Sequence, residues 1–193
     1  FKILSNRAEM IRVPTSPEEL FAILSHRHTI LLEGRPHMNP GVFKMKNNRA
    51  GQTEFVDYQL VKGTLSQGFK YYSALTDPFA RAIFMMFMIS EVHPFNDGNG
   101  RIARVMMNAE FVRADQSRII VPTVFREDYI LALRKLTRHK DPMAYINVMT
   151  KLHQFSDNLY GTDFTELKNY LAACNAYEEP SQAKLQIIDR SII

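Results

Sequence analysis

Apolar residues recur at intervals of three and four along most of the chain, which is the spacing of one face of an α-helix. Residues 16–19, Ser-Pro-Glu-Glu, have the pattern of a capping box with proline in the first helical turn. A helix is therefore expected from residue 17 to about 32. The same periodicity predicts further helices at about 64–75, 78–92, 101–114, 124–136, 142–155 and 163–176.

The segment 78–92 differs from the others because it is apolar on all sides, from Ile83 to Ile89. Such a helix is typical of the centre of a bundle. Only one segment alternates in the manner of a strand, from Val56 to Leu60, which predicts a strand over 53–61 paired with 42–46. The expected fold class is therefore mainly α, a bundle of about seven to eight helices with one small β-hairpin.

Composition narrows the class of protein. The 193 residues carry 24 Lys and Arg against 20 Asp and Glu, and 46% are hydrophobic, which is the composition of a folded chain. The apolar run at Ile83–Ile89 is far shorter than the about 20 residues of a membrane span, so no membrane association is expected. Cys174 is the only cysteine, which excludes an intrachain disulfide and favours a reducing, cytoplasmic location.

The positive charge is concentrated in one part of the chain. Residues 101–140 contain nine Lys and Arg against four Asp and Glu, whereas the remainder is almost balanced. One interpretation is a compact pocket for a polyphosphate, and another is a solvated helix face at 126–140. A basic helical domain that binds nucleic acid is a third hypothesis, from another functional class.

The candidate phosphate-binding and catalytic residues lie in the segment His93–Arg104. Gly98 and Gly100 allow the backbone to approach a ligand closely, and the following helix N-terminus offers unpaired N–H groups to an anion. Arg101 and Arg104 are three residues apart, so on a helix they project from the same side and can both bind phosphate oxygens.

Two further side chains extend this prediction. Asp97 precedes the glycines and is suited to hold the Mg²⁺ that accompanies a nucleotide. His93, at the end of the buried helix, is suited to act as a general base near neutral pH. An ordinary turn between two helices would also use Asn, Asp and Gly, and each of these residues alone fits that alternative.

The segment resembles the signature of the Fic family, His-x-Phe-x-(Asp/Glu)-Gly-Asn-Gly-Arg-x-x-Arg, at every fixed position from His93 to Arg104. Residues 40–44, Pro-Gly-Val-Phe-Lys, are similar to the step that precedes the family's β-hairpin flap, with Lys44 in place of the usual arginine, and residues 45–61 resemble the flap itself. The likeness covers roughly residues 17–156. It implies a Fic-like helical core at 17–156, a lead-in at 1–16 that belongs to a longer chain, and a helical extension and tail at 157–193.

The resemblance implies transfer of AMP from ATP to a hydroxyl side chain of a target protein, with release of pyrophosphate and with Mg²⁺ as cofactor. By this likeness His93 deprotonates the hydroxyl and Asp97 holds the metal. The nucleotide's phosphates are expected to bind Gly98, Asn99, Gly100, Arg101 and Arg104. Gly100 favours AMP transfer over the phosphate transfer of Doc-type relatives, which lack this glycine. The reverse reaction, hydrolytic removal of AMP, would use the same residues.

The resemblance also implies partners. A target protein is expected to dock on the flap by strand addition, at Phe55, Val56, Asp57 and Tyr58. An inhibitory segment or an antitoxin-like partner is a further expectation, since many relatives are restrained by a (Ser/Thr)-x-x-x-Glu-(Gly/Asn) helix. Residues 29–34 fit that pattern and make Glu33 a candidate inhibitory residue, although an ordinary helix end with Gly34 as a left-handed cap explains them too. His26, His28 and His37 are interpreted as surface or core residues.

Overall fold

The structure is a computed structural model that describes residues 2–190. Within this range it contains eight α-helices and one two-stranded antiparallel hairpin, which confirms the predicted fold class. The helices are α1 (Arg7–Met10), α2 (Pro17–Leu31), α3 (Val61–Ala74), α4 (Pro78–Val92), α5 (Asn99–Arg113), α6 (Arg126–His139), α7 (Pro142–Asp157) and α8 (Phe164–Ala173). No helix in this range is both long and apolar enough to cross a bilayer.

The helix starts follow the capping signals in the sequence. The Ser16 side chain accepts a hydrogen bond from the Glu19 N–H, and Pro17 occupies the first turn of α2. Asp77 and Asp141 cap α4 and α7 in the same way, each followed by proline. Because these signals are local, the predicted starts of the three helices are confirmed.

The chain divides into two compact units at Gln116–Ser117. In the first unit α4 packs between α3 and α5, and α2 packs against the same two helices. Met85, Met86 and Ile89 of α4 are completely buried, which confirms the prediction of a central helix. In the second unit α6 packs against α7. The division falls inside the predicted range 17–156, and the predicted domain limits stay a prediction.

A buried polar cluster fastens the helices of the first unit to one another. Glu110 of α5 accepts hydrogen bonds from the Tyr72 hydroxyl of α3 and from Arg81 of α4, whose Nε lies 3.0 Å from the carboxylate. Arg27, fully buried on α2, contacts Glu9 at 3.0 Å and the Arg12 carbonyl at 2.8 Å. Breaking one partner of such a pair leaves a buried charge uncompensated, so the cluster fixes the relative positions of these helices.

The observed hairpin lies within residues 45–61, where the resemblance implies a flap, but the predicted pairing of a strand at 53–61 with 42–46 was wrong. The strands are β1 (Arg49–Ala50) and β2 (Thr53–Glu54), and the predicted partner segment 42–46 is not a strand. The predicted strand 53–61 stops early because the Asp57 side chain accepts a hydrogen bond from the Gln59 N–H and begins a turn of 3₁₀-helix. Local side-chain bonds of this kind compete with a strand ladder.

Candidate active site

His93 lies directly after the last residue of α4, and its backbone adopts a left-handed conformation with φ +50°. Its Nδ1 lies 3.1 Å from the Ser90 carbonyl oxygen. Because a carbonyl oxygen only accepts hydrogen bonds, Nδ1 carries the proton and Nε2 is left with its lone pair. Nε2 has no hydrogen-bond partner among residues 2–190. Burial lowers the pKa of His93, so the imidazole is neutral at pH 7 and can accept a proton.

The flap covers one face of this imidazole. Phe55 follows β2, and its ring is stacked on His93 with the ring centroids 3.6 Å apart and the planes 6° from parallel. The contact removes water from that face and fixes the ring plane. Phe55 was predicted to dock a target; the structure places it against the predicted base.

The glycine loop is held in shape by Asn99. Its buried side chain accepts a hydrogen bond from the Phe95 N–H and donates one to the Phe95 carbonyl, both at 2.8 Å. Gly98 has φ +77°, a conformation that favours glycine, and it begins α5 without any side-chain cap. Within residues 2–190 the N–H groups of Asn99 and Gly100 have no hydrogen-bond acceptor. The free main-chain N–H of Asn99 is therefore available to a phosphate while its side chain holds Phe95.

Asp97 joins the loop to two arginines. One carboxylate oxygen accepts a hydrogen bond from the Gly98 N–H at 2.6 Å, and the other contacts Arg35 at 2.9 Å and Arg101 at 3.1 Å. The Gly98 N–H and the two guanidiniums hold the pKa of Asp97 below its usual value, despite partial burial. The group is ionised at neutral pH, as a metal ligand must be.

The residues present fit a magnesium ion that arrives with a nucleotide. Between residues 2 and 190 no three His, Cys, Asp or Glu side chains are grouped to hold a metal by themselves. Mg²⁺ commonly binds through one carboxylate, substrate phosphates and water, and Asp97 is a partly exposed carboxylate beside the amides and arginines that are expected to bind phosphate. These groups therefore suit a Mg²⁺ ion that is already bound to a nucleotide, and not a Mg²⁺ ion held by the protein alone.

Arg101 and Arg104 both lie on the first turns of α5, as predicted. Arg101 is partly exposed and paired with Asp97. Arg104 is half-buried, and within residues 2–190 it forms no ion pair. An ideal Cβ on Gly100 would lie 3.7 Å from Nη1 of Arg104, so the Arg104 guanidinium lies beside the free amides.

Sequence reasoning missed the role of His28. This residue is fully buried on α2, where its Nδ1 accepts a hydrogen bond from the Gly41 N–H and its Nε2 donates to the Asp97 carbonyl, both at 2.9 Å. Its ring is stacked on Phe95 at 3.7 Å. The signal was present in the sequence, because Leu20, Leu24 and His28 are four residues apart on one helix face.

Lys44 and Asn48 fasten the segment before the flap to the same loop. The buried Lys44 ammonium donates to Asn48 at 2.7 Å and to the Val92 carbonyl at 3.3 Å, and burial lowers its pKa. Asn48 in turn donates to the Phe95 carbonyl at 2.9 Å. The Val92 carbonyl before His93 and the Phe95 carbonyl after it are thereby satisfied by the buried Lys44 and the half-buried Asn48.

The other flap residues form a turn. Asn47 donates to the Asp57 carboxylate and accepts from the Tyr58 N–H, both at 2.9 Å. Val56 lies between Phe55 and this turn and is half-buried. Docking of a target at Phe55, Val56, Asp57 and Tyr58 stays a prediction.

Glu33 lies apart from this group. Its exposed carboxylate is paired with Lys2 at 2.6 Å, and no contact joins it to Arg104 among the described residues. Gly34 does not adopt the predicted left-handed conformation, because α2 ends through hydrogen bonds of Leu32 and Arg35 instead. The inhibitory role of Glu33 stays a prediction.

The site as a whole brings together His93, Phe55, Asp97 and the N-terminus of α5 with its two arginines. The chain that carries this arrangement is similar to known proteins of one family. Residues 15–110 match the model of the Fic/DOC family. Protein adenylyltransferase fic-1 of Caenorhabditis elegans is 30% identical over 115 residues, which are 58% of this chain and 22% of that protein. Protein adenylyltransferase Fic of Drosophila willistoni is 30% identical over 89 residues, which are 46% of this chain and 18% of that protein.

Solved structures are similar in fold. Fic-1 (residues 134–508) from C. elegans superimposes with a TM-score of 0.61 at 20% identity, over 80% of this chain and 44% of that one. A Fic domain containing signaling protein from Bacteroides thetaiotaomicron gives a TM-score of 0.66 at 15% identity, over 79% of this chain and 64% of that one. The chain spans about a fifth of the length of these curated adenylyltransferases. On the match of residues 15–110, the signature from His93 to Arg104 and the shared fold, the chain belongs to the Fic/DOC family.

Proposed function

We propose that this chain transfers AMP from ATP to a hydroxyl side chain of a protein and releases pyrophosphate. The observation that carries the proposal is an imidazole with an unbonded Nε2, placed next to a loop that offers two free amides and two arginines. The names of the curated relatives, protein adenylyltransferases, support the reaction class.

The proposed reaction follows from these groups. Nε2 of His93 accepts the proton of the target hydroxyl while the oxygen of that hydroxyl attacks the α-phosphorus. A new oxygen–phosphorus bond forms, the bond from the α-phosphorus to the bridging oxygen breaks, and pyrophosphate leaves with the electron pair. The Asn99 and Gly100 amides and the Arg101 and Arg104 guanidiniums stabilise the negative charge that shifts toward the leaving group.

Asp97 is the residue that would hold Mg²⁺, which would partly neutralise the phosphates when bound. The chain's own residues then orient the nucleotide. His28 fixes the main chain of Asp97, and Asn99 fixes that of Phe95, so the loop needs no rearrangement to present its amides. Such preorganisation is the main physical source of electrostatic stabilisation in enzymes.

The target is proposed to bind at the flap. Arg49, Ala50 and Glu54 of the hairpin are exposed, so a partner strand can reach the hairpin edge. Main-chain hydrogen bonding at such an edge gives affinity with little demand on sequence. Replacing Val56 with proline removes one main-chain donor there, and it is expected to lower labelling of protein targets while leaving ATP affinity unchanged.

The function is tested with ATP labelled at the α-phosphate or at the γ-phosphate, incubated with Mg²⁺ and the chain. We expect protein-bound label from the α-position only, and its loss in His93→Ala. His37→Ala, an exposed histidine outside the loop, and Glu33→Gly are expected to label like the wild type. Label from the γ-position would contradict the proposal, and so would release of AMP from a modified protein without any transfer from ATP.

A further inference from the structure

Arg35 lies outside the signature and contacts the site nonetheless. Its Nη1 is 2.9 Å from an oxygen of Asp97, and Nη2 of Arg101 is 3.1 Å from the same oxygen. Because both nitrogens contact one atom, the guanidiniums of Arg35 and Arg101 lie side by side. No sequence feature assigned a role to Arg35.

The backbone holds Arg35 in place. Its N–H donates to the Leu32 carbonyl at 2.8 Å, and its own carbonyl accepts from the Met38 N–H at 3.0 Å. The side chain is 55% exposed, so its charge is hydrated and its contact with Asp97 contributes little to stability. An anchored backbone with an exposed guanidinium at the site is a suitable arrangement for binding a ligand.

Charge balance indicates what that ligand is. A single carboxylate oxygen shared by two guanidiniums leaves positive charge in excess beside the free amides of α5. If Asp97 receives a metal ion, that oxygen is shared with a further cation, and the guanidiniums gain by moving to another anion. Phosphate oxygens are the preferred partners of guanidinium groups because two parallel hydrogen bonds form.

We infer that Arg35 is a third arginine of the nucleotide site, which neutralises Asp97 before the nucleotide binds and contacts an outer phosphate of the triphosphate afterwards. This inference rests on the proposed function. It assigns Arg35 a direct contact with substrate, in addition to Arg101 and Arg104.

The test is the affinity for ATP, ADP and AMP, measured by calorimetric titration without metal and then with Mg²⁺. Arg35→Gln is expected to weaken ATP binding about tenfold, since a charge-assisted hydrogen bond contributes about a factor of ten. AMP binding is expected to weaken less than twofold, because AMP has no outer phosphate. Arg35→Lys keeps the charge without the paired hydrogen bonds, so its affinity for ATP is expected to lie between those of the wild type and Arg35→Gln. Arg7→Gln is the matched control, because Arg7 forms a similar exposed pair with Asp115 at 2.9 Å.

A second series separates a direct contact from an effect through Asp97. In an Asp97→Asn background the Arg35→Gln change is expected to weaken ATP binding by the same factor. Equal ATP affinity of Arg35→Gln and wild type would overturn the inference, as would a loss that disappears in that background. If the wild type itself bound no ATP, the proposed function would fail as well, so the two failures are distinguishable.

Discussion

Two histidines of the first unit have nearly the same surroundings and opposite roles. His28 and His93 are each stacked on a phenylalanine, Phe95 and Phe55, at 3.7 and 3.6 Å. Burial lowers the pKa of both. His28 uses both ring nitrogens for main-chain hydrogen bonds, whereas His93 uses only Nδ1. The two residues therefore differ in the one nitrogen that the fold leaves unbonded in His93, and not in burial or stacking.

The largest expected effect is on the rate of transfer. His93→Ala removes the proton acceptor and is expected to lower the rate by about 10²- to 10⁴-fold, which is the usual contribution of a general base. Its affinity for ATP is expected to stay within about twofold, because the amides and arginines are unchanged. Single-turnover labelling and calorimetry measure the two quantities. A rate close to that of the wild type would remove His93 from the mechanism.

His28→Ala is expected to affect stability instead. It leaves a cavity against Phe95 and two unpaired main-chain groups, so the free energy of unfolding is expected to fall by about 2–4 kcal/mol in urea titrations. His28→Gln can restore part of the hydrogen bonding and is the matched variant. His93→Ala serves as the control for loss of an imidazole, and an equal loss of stability in both alanine variants would contradict the distinction between them.

The stability contributed by His28 is expected to depend on pH. Burial holds the pKa of His28 in the folded chain below its ordinary value of 6.5, so the unfolded chain binds more protons and stability rises with pH. The contribution of His28 is complete above about pH 6.5 and is lost as the pH falls toward the folded pKa, by at most about 1.4 kcal/mol per pH unit. Urea titrations at a series of pH values from 7.5 to 5 give the free energy of unfolding as a function of pH. This free energy is expected to change less steeply with pH in His28→Gln, and an unchanged pH dependence would contradict a lowered pKa for His28.

The smallest expected effects come from the two glycines. Gly98→Ala places a side chain at φ +77° and against His28, and it is expected to destabilise the chain by about 1–2 kcal/mol. Gly100→Ala lies in the first turn of α5, where a Cβ has space, so stability is expected to rise by up to about 1 kcal/mol. ATP affinity is nonetheless expected to fall in Gly100→Ala, because the methyl group projects beside the free amides. Unfolding curves and ATP titrations of both variants separate the two roles.

Much of the fold was predictable because its signals are local. The capping residues Ser16 and Asp77 and the apolar pattern of α4 depend on neighbours within a turn, and these predictions are confirmed. The hairpin was predicted in the wrong place because alternation does not reveal that Asn47 and Asp57 bind each other across a turn. The basic block at 101–140 extends over both units, because the chain divides within it at Gln116–Ser117, and its interpretation as one polyphosphate pocket stays a prediction.

The site was predictable only where it is contiguous. Residues 93–104 follow one another in the sequence, so their proximity required no knowledge of the fold. His28 and Arg35 contact Asp97 across 69 and 62 residues, and only the packing of α2 beside α5 brings them there. Lys44 was noted as a substitution in a motif, yet its burial and its bonds to Asn48 and Val92 required the structure.

¹⁵N NMR of the chain titrated with Mg²⁺ and ATP tests the roles proposed for the free amides and for His93. The proposed mechanism predicts that the amide signals of Asn99 and Gly100 shift on saturation, and that His93 without nucleotide has a protonated Nδ1 and an unprotonated Nε2 at pH 7. Amide signals that do not move with ATP, or a proton on Nε2 of free His93, would contradict it.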